Sequence, residues 1–251
     1  MISESRTRWR LRQDLNLITG SKRDSSSAIS KLLLEFQKIA VFGGAIRDLA
    51  LGKNVNQAAD IDIVVDTEDI LSSKTLSEID HTYTKFGGVR FKYHGRIYDI
   101  WPLKQTWAIK EGLVQGNSFE DLVHTTFFIV DASYYSLPDH ELHCHSNYFQ
   151  NLITRVLDIN LEPNPNPAGM AKRAMKMALT HNFSFSPRLV NYVLKYYRAN
   201  YSFEEDAKIA RAMSRHLDEN PYSNFNFSEK MRSMCRISDK YFSRLSYNFS
   251  S

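Results

Sequence analysis

The stretch Gly43-Gly44-Ala45-Ile46-Arg47-Asp48, followed downstream by Asp60-Ile61-Asp62, decides how this sequence is interpreted. The apolar run 39–42 predicts a buried strand that ends at the glycine pair. A helical segment over 45–51 follows the glycines. A second apolar run, 60–65, predicts a strand whose two aspartates lie on one face and whose apolar side chains lie on the other.

Two carboxylates on the same face of an apolar strand are unfavourable unless a cation lies between them. Asp99 lies in another apolar strand, and alternation along that strand directs it toward the same cleft. Mg²⁺ prefers oxygen ligands, and two such ions about 3.5–4 Å apart support phosphoryl transfer. We therefore predict that Asp60, Asp62 and Asp99 are the catalytic and metal-binding residues of a two-metal site.

Within this set, Asp60 and Asp62 are expected to bridge the two ions. Asp99 is expected to complete the ligands of the ion that activates an acceptor hydroxyl, and to help remove the proton of that hydroxyl. The alternative interpretation is structural. In that case Asp60 caps the start of its strand, and Asp99 is a partly exposed residue of the sheet.

The glycine pair predicts a site for phosphate. A glycine-rich turn that opens a helix presents backbone N–H groups to anions. We predict that Gly43 and Gly44 bind the triphosphate of a nucleoside triphosphate in this way. Arg47 either balances phosphate charge or pairs with Asp48, and these two residues complete the predicted nucleotide-binding set.

The composition is that of an ordinary globular protein, with 251 residues, 43% hydrophobic and 24% charged. The net charge of +4 permits an RNA partner without requiring one. Cys144 and Cys235 are far apart in the sequence, so no disulfide partner is predicted. The sequence has neither the apolar stretch of a signal peptide nor a run of membrane-spanning length, which predicts a cytoplasmic protein without a membrane partner.

The order of the predicted elements indicates an α+β fold, a mixed sheet with flanking helices followed by an all-helical region. The proline-rich segment 162–167 separates the two, because alternating prolines continue neither a helix nor a central strand. The expected domains are an N-terminal helical segment (1–37), a head domain (38–160) and a helical domain (161–251). Further predicted elements are a helix at 67–79, a hairpin of 89–93 with 97–101, a β-rich run at 126–134 and helices at 168–181, 187–197 and 203–217.

Three basic residues, Lys172, Arg173 and Lys176, cluster on one predicted helix. They are the candidates for contact with RNA phosphates, and the alternative is a solvated helix face. Arg90 lies on the predicted hairpin and is open to the same two interpretations.

Residues 43–52 together with Asp60-Ile61-Asp62 resemble the polymerase-β-like nucleotidyltransferase superfamily. The similarity is to the head domain of bacterial poly(A) polymerases and class II CCA-adding tRNA nucleotidyltransferases. The head motif of that family is Gly-Gly-x-x-Arg-Asp, then Leu-x-Gly, then Asp-x-Asp, and all three parts are present here. The resemblance implies a nucleotidyltransferase head domain, a nucleoside triphosphate as substrate, Mg²⁺ as cofactor and RNA, in particular a tRNA 3′ end, as acceptor.

The resemblance spans roughly residues 38–190 and is weaker after the first motif. The family's Arg-Arg-Asp-Phe-Thr-Ile-Asn-Ala corresponds to 124–131, where the apolar frame is kept and the charged triplet is not. The Glu-Asp-x-x-Arg that reads the incoming base in CCA-adding enzymes corresponds to 166–170, which reads Asn-Pro-Ala-Gly-Met. This loss favours a one-base, relaxed or different transfer over faithful C-C-A synthesis.

The sequence thus predicts transfer of a nucleoside monophosphate from a nucleoside triphosphate to an acceptor hydroxyl, with release of pyrophosphate. Two alternatives stay open at this point. The acceptor is a protein or a small molecule, as for a toxin or antiphage effector, or the chain is an RNA-binding module that has lost catalysis.

Overall fold

The computed structural model describes residues 5, 8–13, 31–32, 34–54, 60–67, 73–93, 95–137 and 139–200. The described residues divide into two compact units. The first contains those up to Ile153 together with Asn160–Glu162, and the second contains Thr154–Ile159 and those from Pro163 onwards.

The first unit is built on a seven-stranded mixed sheet with the strand order β3-β4-β5-β2-β1-β6-β7. Its strands are β1 (Ile39–Phe42), β2 (Ile61–Val65), β3 (His81–Tyr83), β4 (Val89–Tyr93), β5 (Arg96–Pro102), β6 (Ser133–Ser136) and β7 (Glu141–Cys144). Neighbouring strands are antiparallel except β2 and β5, which are parallel.

Short helices connect and flank these strands. The α-helices are α1 (Gly44–Ala50), α2 (Lys74–Ser77), α3 (Trp107–Lys110) and α4 (Tyr148–Thr154). Three 3₁₀-helices span Leu103–Gln105, Phe119–His124 and Ile129–Asp131. All residues of α1 are buried, and this helix packs against β2 and β6.

The second unit is mainly helical. It contains α5 (Pro167–His181) and α6 (Pro187–Asn200), which pack against each other, and a parallel pair of short strands, β8 (Val156–Leu157) and β9 (Ser184–Phe185). Asn166 caps α5, since its side chain accepts a hydrogen bond from the N–H of Gly169 at 3.0 Å. Among the helices described here, none is both long enough and apolar enough to cross a bilayer.

An apolar cluster covers part of one sheet face and thereby sets the edge of the candidate site. The segment 103–124 packs over side chains of the central strands. The buried members of the cluster are Ala40, Phe42, Val64, Leu103, Ile109, Leu122, Val123 and Tyr134, and Trp101 packs against them. Asp62 and Asp99 stand two residues before Val64 and Trp101 on the same face, and both are partly buried. The carboxylates therefore border a packed apolar layer.

Most of the predicted elements of the first unit are confirmed, in some cases with shifted ends. The strand 39–42 and the hairpin are present, and α1 and β2 begin within one residue of the predicted starts. Thr67 is not helical, and the described part of the predicted helix 67–79 contains only Lys74–Ser77. Residues 68–72, most of the segment 1–37, Cys235 and the helix predicted at 203–217 lie outside the described residues.

The prediction of a β-rich run over 126–134 is wrong. A 3₁₀-helix forms over Ile129–Asp131, closed by a 3.1 Å hydrogen bond from Asp131 N to Phe128 O, and β6 begins only at Ser133. Phe127 and Phe128 have side chains that favour strands, yet they are buried on irregular backbone with their rings 4.7 Å apart. Burial in the core thus outweighs the local strand preference of this segment.

Candidate active site

The candidate site is organised by one row of paired residues that crosses the sheet. Asp62 is the Cα partner of Asp99 in the parallel pair of β2 and β5. Asp99 is in turn the partner of Arg90 on β4, and Asp62 is the partner of Phe42 at the end of β1. Paired residues point to the same face, and neighbouring strands lie about 4.8 Å apart. Asp62 and Asp99 are therefore brought together on one face, as the sequence predicts.

Arg90 forms a two-pronged ion pair with Asp99. Its Nε donates to Asp99 Oδ1 at 2.7 Å and its Nη2 donates to Asp99 Oδ2 at 2.5 Å. The Asp99 side chain is only 15% exposed, whereas that of Arg90 is half exposed. The hydrogen bonds to Asp99 raise the pKa of the Arg90 guanidinium, and the charges of Asp60 and Asp62 raise it further. Arg90 is thus under the influence of all three aspartates.

Asp60 stands immediately before β2 and is exposed. Carboxylate oxygens are the ligands that Mg²⁺ prefers, so the chemistry of the three aspartates fits this metal. Over the described ranges, however, no three side chains of histidine, cysteine, aspartate or glutamate lie within reach of one ion. The structure therefore pairs Asp62 with Asp99 without gathering all three carboxylates, and Asp99 is held by Arg90.

The glycine turn lies at the end of the sheet where Asp60 is found. Because β1 ends at Phe42 opposite Asp62, the turn begins directly beside the start of β2. Gly43 has φ of 70° and ψ of −122°, a conformation that side chains with a Cβ rarely adopt. The N–H of Gly43 donates to Ser133 O on β6 at 2.9 Å. Gly43 is therefore fixed by the fold, and Gly44 begins α1.

The side chains of Arg47 and Asp48 point into a buried ionic network. Arg47 donates to Asp48 Oδ1 from Nε at 2.9 Å and from Nη2 at 2.7 Å, and its Nη1 donates to Asp131 Oδ1. Lys53 Nζ donates to Asp48 Oδ2 at 2.9 Å. The side chains of Arg47, Asp48 and Asp131 are less than 10% exposed, whereas that of Lys53 is one-third exposed. The observed position of Arg47 is the pairing with Asp48 that was one of its two predicted roles.

The charges of this network balance one another. Burial alone lowers the pKa of Arg47, but the charges of Asp131 and Asp48 outweigh it and raise that pKa. Burial alone raises the pKa of Asp48, but the charge of Arg47 and the hydrogen bonds from Lys53 and Arg47 outweigh it and lower that pKa. The network connects α1 to the 3₁₀-helix 129–131. It thereby fixes the position of α1, which begins directly after Gly43 of the glycine turn.

Asp131 is one of the two residues of this network that sequence reasoning missed, the other being Lys53. Asp131 closes the run 124–131, which has lost the charged triplet of the related motif, so no local pattern marked it as a partner of Arg47. The available signal was an acidic residue at the end of an apolar run. Such a residue is rarely buried unless it is paired.

The predicted phosphate-binding residues share one exposed face of α5. Lys172, Arg173 and Lys176 are exposed at positions i, i+1 and i+4 of this helix. The other side of α5 is apolar and buried, with the core residues Ala171, Ala174, Met175, Met177 and Ala178. The basic face belongs to the second unit, and its contact with RNA remains a prediction.

Comparison by sequence identifies no relatives. No family model matches the chain, and no curated protein matches it.

Comparison with solved structures gives consistent similarities. A CCA-adding enzyme in complex with CTP has a TM-score of 0.55 at 18% identity, over 83% of this chain and 47% of the enzyme. A CCA-adding enzyme with ATP has a TM-score of 0.54 at 19% identity, over 82% of this chain and 50% of the enzyme. The Thermotoga maritima CCA-adding enzyme in complex with tRNA has a TM-score of 0.51 at 18% identity, over 71% of this chain and 44% of the enzyme.

This likeness establishes the fold. The chain has the α+β fold of these CCA-adding enzymes, a mixed sheet with flanking helices. The resemblance based on residues 43–52 and Asp60-Ile61-Asp62 is confirmed at this level. The chain spans half or less of the length of the three enzymes.

Proposed function

We propose that this chain is a nucleotidyltransferase that transfers a nucleoside monophosphate from a nucleoside triphosphate to the 3′ hydroxyl of an RNA, with tRNA as the favoured acceptor. The observation that carries the proposal is the pairing of Asp62 with Asp99 beside the glycine turn. It occurs within the fold of CCA-adding enzymes, of which solved examples hold CTP, ATP and tRNA.

In the proposed reaction, the acceptor oxygen forms a bond to the α-phosphorus, the bond between the α-phosphorus and the bridging oxygen breaks, and pyrophosphate leaves. Asp99, oriented by Arg90, accepts the proton of the acceptor hydroxyl. The N–H of Gly44, at the start of α1, binds a phosphate oxygen, because that of Gly43 already donates to Ser133 O. Asp60 and Asp62 would hold Mg²⁺, which supplies positive charge to the triphosphate when bound.

The choice of nucleotide in this proposal differs from that of a CCA-adding enzyme. At the position of the family's base-reading motif, Asn166 caps α5, so its side-chain oxygen is occupied by the N–H of Gly169. Pro167 follows as the first residue of the helix and has no N–H to offer. We therefore propose addition of a single or loosely selected nucleotide.

The function is tested by incubating the protein with each labelled nucleoside triphosphate, Mg²⁺ and total RNA. The Asp60→Ala/Asp62→Ala variant is the control. We expect wild type alone to label a band of tRNA size, and chelation of Mg²⁺ to abolish the label. Label on protein or on a small molecule would reject the RNA acceptor and keep the transferase. The absence of any label above the variant would leave an RNA-binding module as the better account.

We further predict that the basic face of α5 binds RNA phosphates. The triple variant Lys172→Ala/Arg173→Ala/Lys176→Ala should weaken RNA binding at low salt. The slope of log affinity against log salt should become shallower by up to about 2, because each lost phosphate contact removes about 0.7 for a single strand. The matched control replaces three exposed lysines of the first unit, Lys74, Lys104 and Lys110. Equal losses in both triple variants would contradict a specific role for α5.

A further inference from the structure

A cavity of about 620 Å³ opens beside the candidate active site, on the same face of the sheet. Arg90 and Asp99 form part of its wall, so it is continuous with the row of charged residues. Its volume is within the range of about 300–1,000 Å³ that is usual for small-molecule sites. The network of Arg47 and Asp48 does not line it, and neither does the glycine turn.

Aromatic rings form much of the remaining wall. Trp101 and Trp107 line it from β5 and α3, and Tyr83 and Phe86 line it from the hairpin of β3 and β4. Trp101 is held in place because its Nε1 donates to Thr106 Oγ1 at 3.0 Å and its ring meets Phe42 edge-on at 6.4 Å. The cavity therefore has one fixed aromatic wall.

The opposite wall is the tip of the β3–β4 hairpin. Thr84 N donates to Gly88 O at 2.8 Å and Gly87 N donates to Thr84 O at 3.1 Å, which closes a tight turn. Gly88 allows β4 to lie close against β5, because a Cβ at this position would be 2.8 Å from Ile100 O. The turn presents Phe86, which is 37% exposed, with Lys85 Nζ 4.7 Å from the centre of its ring.

Exposed aromatic rings around a pocket with flanking cations are typical of sites that stack nucleobases. Phe86 is 37% exposed, so part of its ring is available to a bound base, whereas the Tyr83 ring packs against His81 on the opposite face of the sheet. Lys85 supplies positive charge beside Phe86, which suits a phosphate of a nucleic acid strand. An aliphatic side chain of a peptide would not pair with the cation, and an acidic side chain would not stack on the aromatic rings, whereas a nucleotide does both.

We infer that this cavity holds the base of the 3′-terminal nucleotide of the acceptor RNA, with its hydroxyl directed toward Asp99. The inference rests on the proposed function, because it identifies the acceptor subsite of the same reaction. Phe86 stacks on the base, and Lys85 contacts the phosphate that precedes it. Base identity is read weakly here, since stacking is tolerant of sequence.

The test uses the full chain and a single-stranded hexaribonucleotide with a fluorescent 5′ end and a free 3′ hydroxyl. A second oligonucleotide is identical except that its 3′-terminal nucleotide is abasic. The affinity of each is measured by fluorescence anisotropy for wild type, Phe86→Ala and the matched control Trp9→Ala. Trp9 is an aromatic residue that is 67% exposed and does not line the cavity.

We expect Phe86→Ala to weaken binding of the intact oligonucleotide about tenfold, and Trp9→Ala to leave it unchanged. The abasic oligonucleotide should bind wild type about tenfold more weakly, with no further loss in Phe86→Ala, because base and ring act on each other. Independent, additive losses from the two changes would overturn the inference, as would equal losses in Phe86→Ala and Trp9→Ala.

The transfer assay is run in parallel so that the two proposals fail separately. Labelling of RNA by wild type together with unchanged oligonucleotide binding in Phe86→Ala would reject the cavity and keep the transferase. Coupled loss of binding without any transfer would keep the cavity as an RNA site and reject the transferase. Oligonucleotide binding by neither protein, with label found on protein alone, would reject RNA as the occupant.

Discussion

Replacing Asp62 by asparagine is expected to lower the rate of nucleotide transfer by about 10³-fold, with little change in thermal stability. Asp62 lies between Asp99 and the end of β1, in the row of paired residues that crosses the sheet. Loss of its negative charge removes one of the two proposed metal ligands and several kcal/mol of transition-state stabilisation, at about 1.4 kcal/mol for each factor of ten. The measurement is the initial rate of label transfer at saturating nucleoside triphosphate, with the melting temperature recorded alongside.

Asp66→Asn is the matched control for this experiment. Asp66 follows the same strand, is exposed, and accepts a hydrogen bond from the Lys38 N–H at 3.1 Å, which asparagine can also accept. We expect the transfer rate of this variant to stay within about twofold of wild type, as for a surface change away from the site. A transfer rate for Asp62→Asn within tenfold of wild type would reject Asp62 as a catalytic residue.

Sequence periodicity was sufficient to place Asp62 on the face of β2 opposite to its apolar neighbours, whereas Asp60, predicted on the same face, precedes the strand. In β2, alternation separates Asp62 from Ile61 and Ile63, and the structure has this separation. The sequence pattern could not predict the pairing of Asp62 with Asp99. This pairing depends on β5 lying parallel beside β2, and the two strands are far apart in the chain. Long-range strand order is decided by packing of the whole sheet.

The ion pair of Arg90 with Asp99 could have been predicted from the sequence. Tyr93 is paired to Arg96 in the hairpin, so counting back along both strands brings Arg90 opposite Asp99. Opposite charges at directly paired positions attract each other across a sheet. Sequence reasoning treated Arg90 as a surface or phosphate-binding residue because it considered each strand of the hairpin by itself.

Replacing Arg47 by methionine is expected to lower the free energy of unfolding by about 3–5 kcal/mol, the range found when one partner of a buried ion pair is removed. The change leaves Asp48 and Asp131 buried without the guanidinium that both contact. The measurement is urea unfolding at neutral pH. Lys53→Met is the matched control, since Lys53 joins the same network from a partly exposed position and is expected to contribute about 1 kcal/mol or less.

Neutralising the acids should repair much of this loss. In the background of Arg47→Met, the changes Asp48→Asn and Asp131→Asn remove the uncompensated charges, so we expect the triple variant to be more stable than Arg47→Met alone. Two results would contradict the view that the network holds α1 to the 3₁₀-helix 129–131. One is an equal loss in the free energy of unfolding for Arg47→Met and Lys53→Met, and the other is a triple variant less stable than either.

The dependence of stability on pH distinguishes a lost ion pair from a merely smaller side chain. In wild type the pKa of Asp48 is below its ordinary value of 3.8, because Arg47 and Lys53 outweigh the effect of burial. A lowered pKa contributes stability that is present above 3.8 and is lost as the pH falls through the folded-state value. Without Arg47, only Lys53 opposes the effect of burial, so we expect the pKa of Asp48 to be higher in the variant than in wild type and less of this stability to be present above 3.8. The destabilisation by Arg47→Met should therefore be larger at about pH 7 than at about pH 4. A destabilisation that is the same at both values would indicate that Arg47 acts through packing alone.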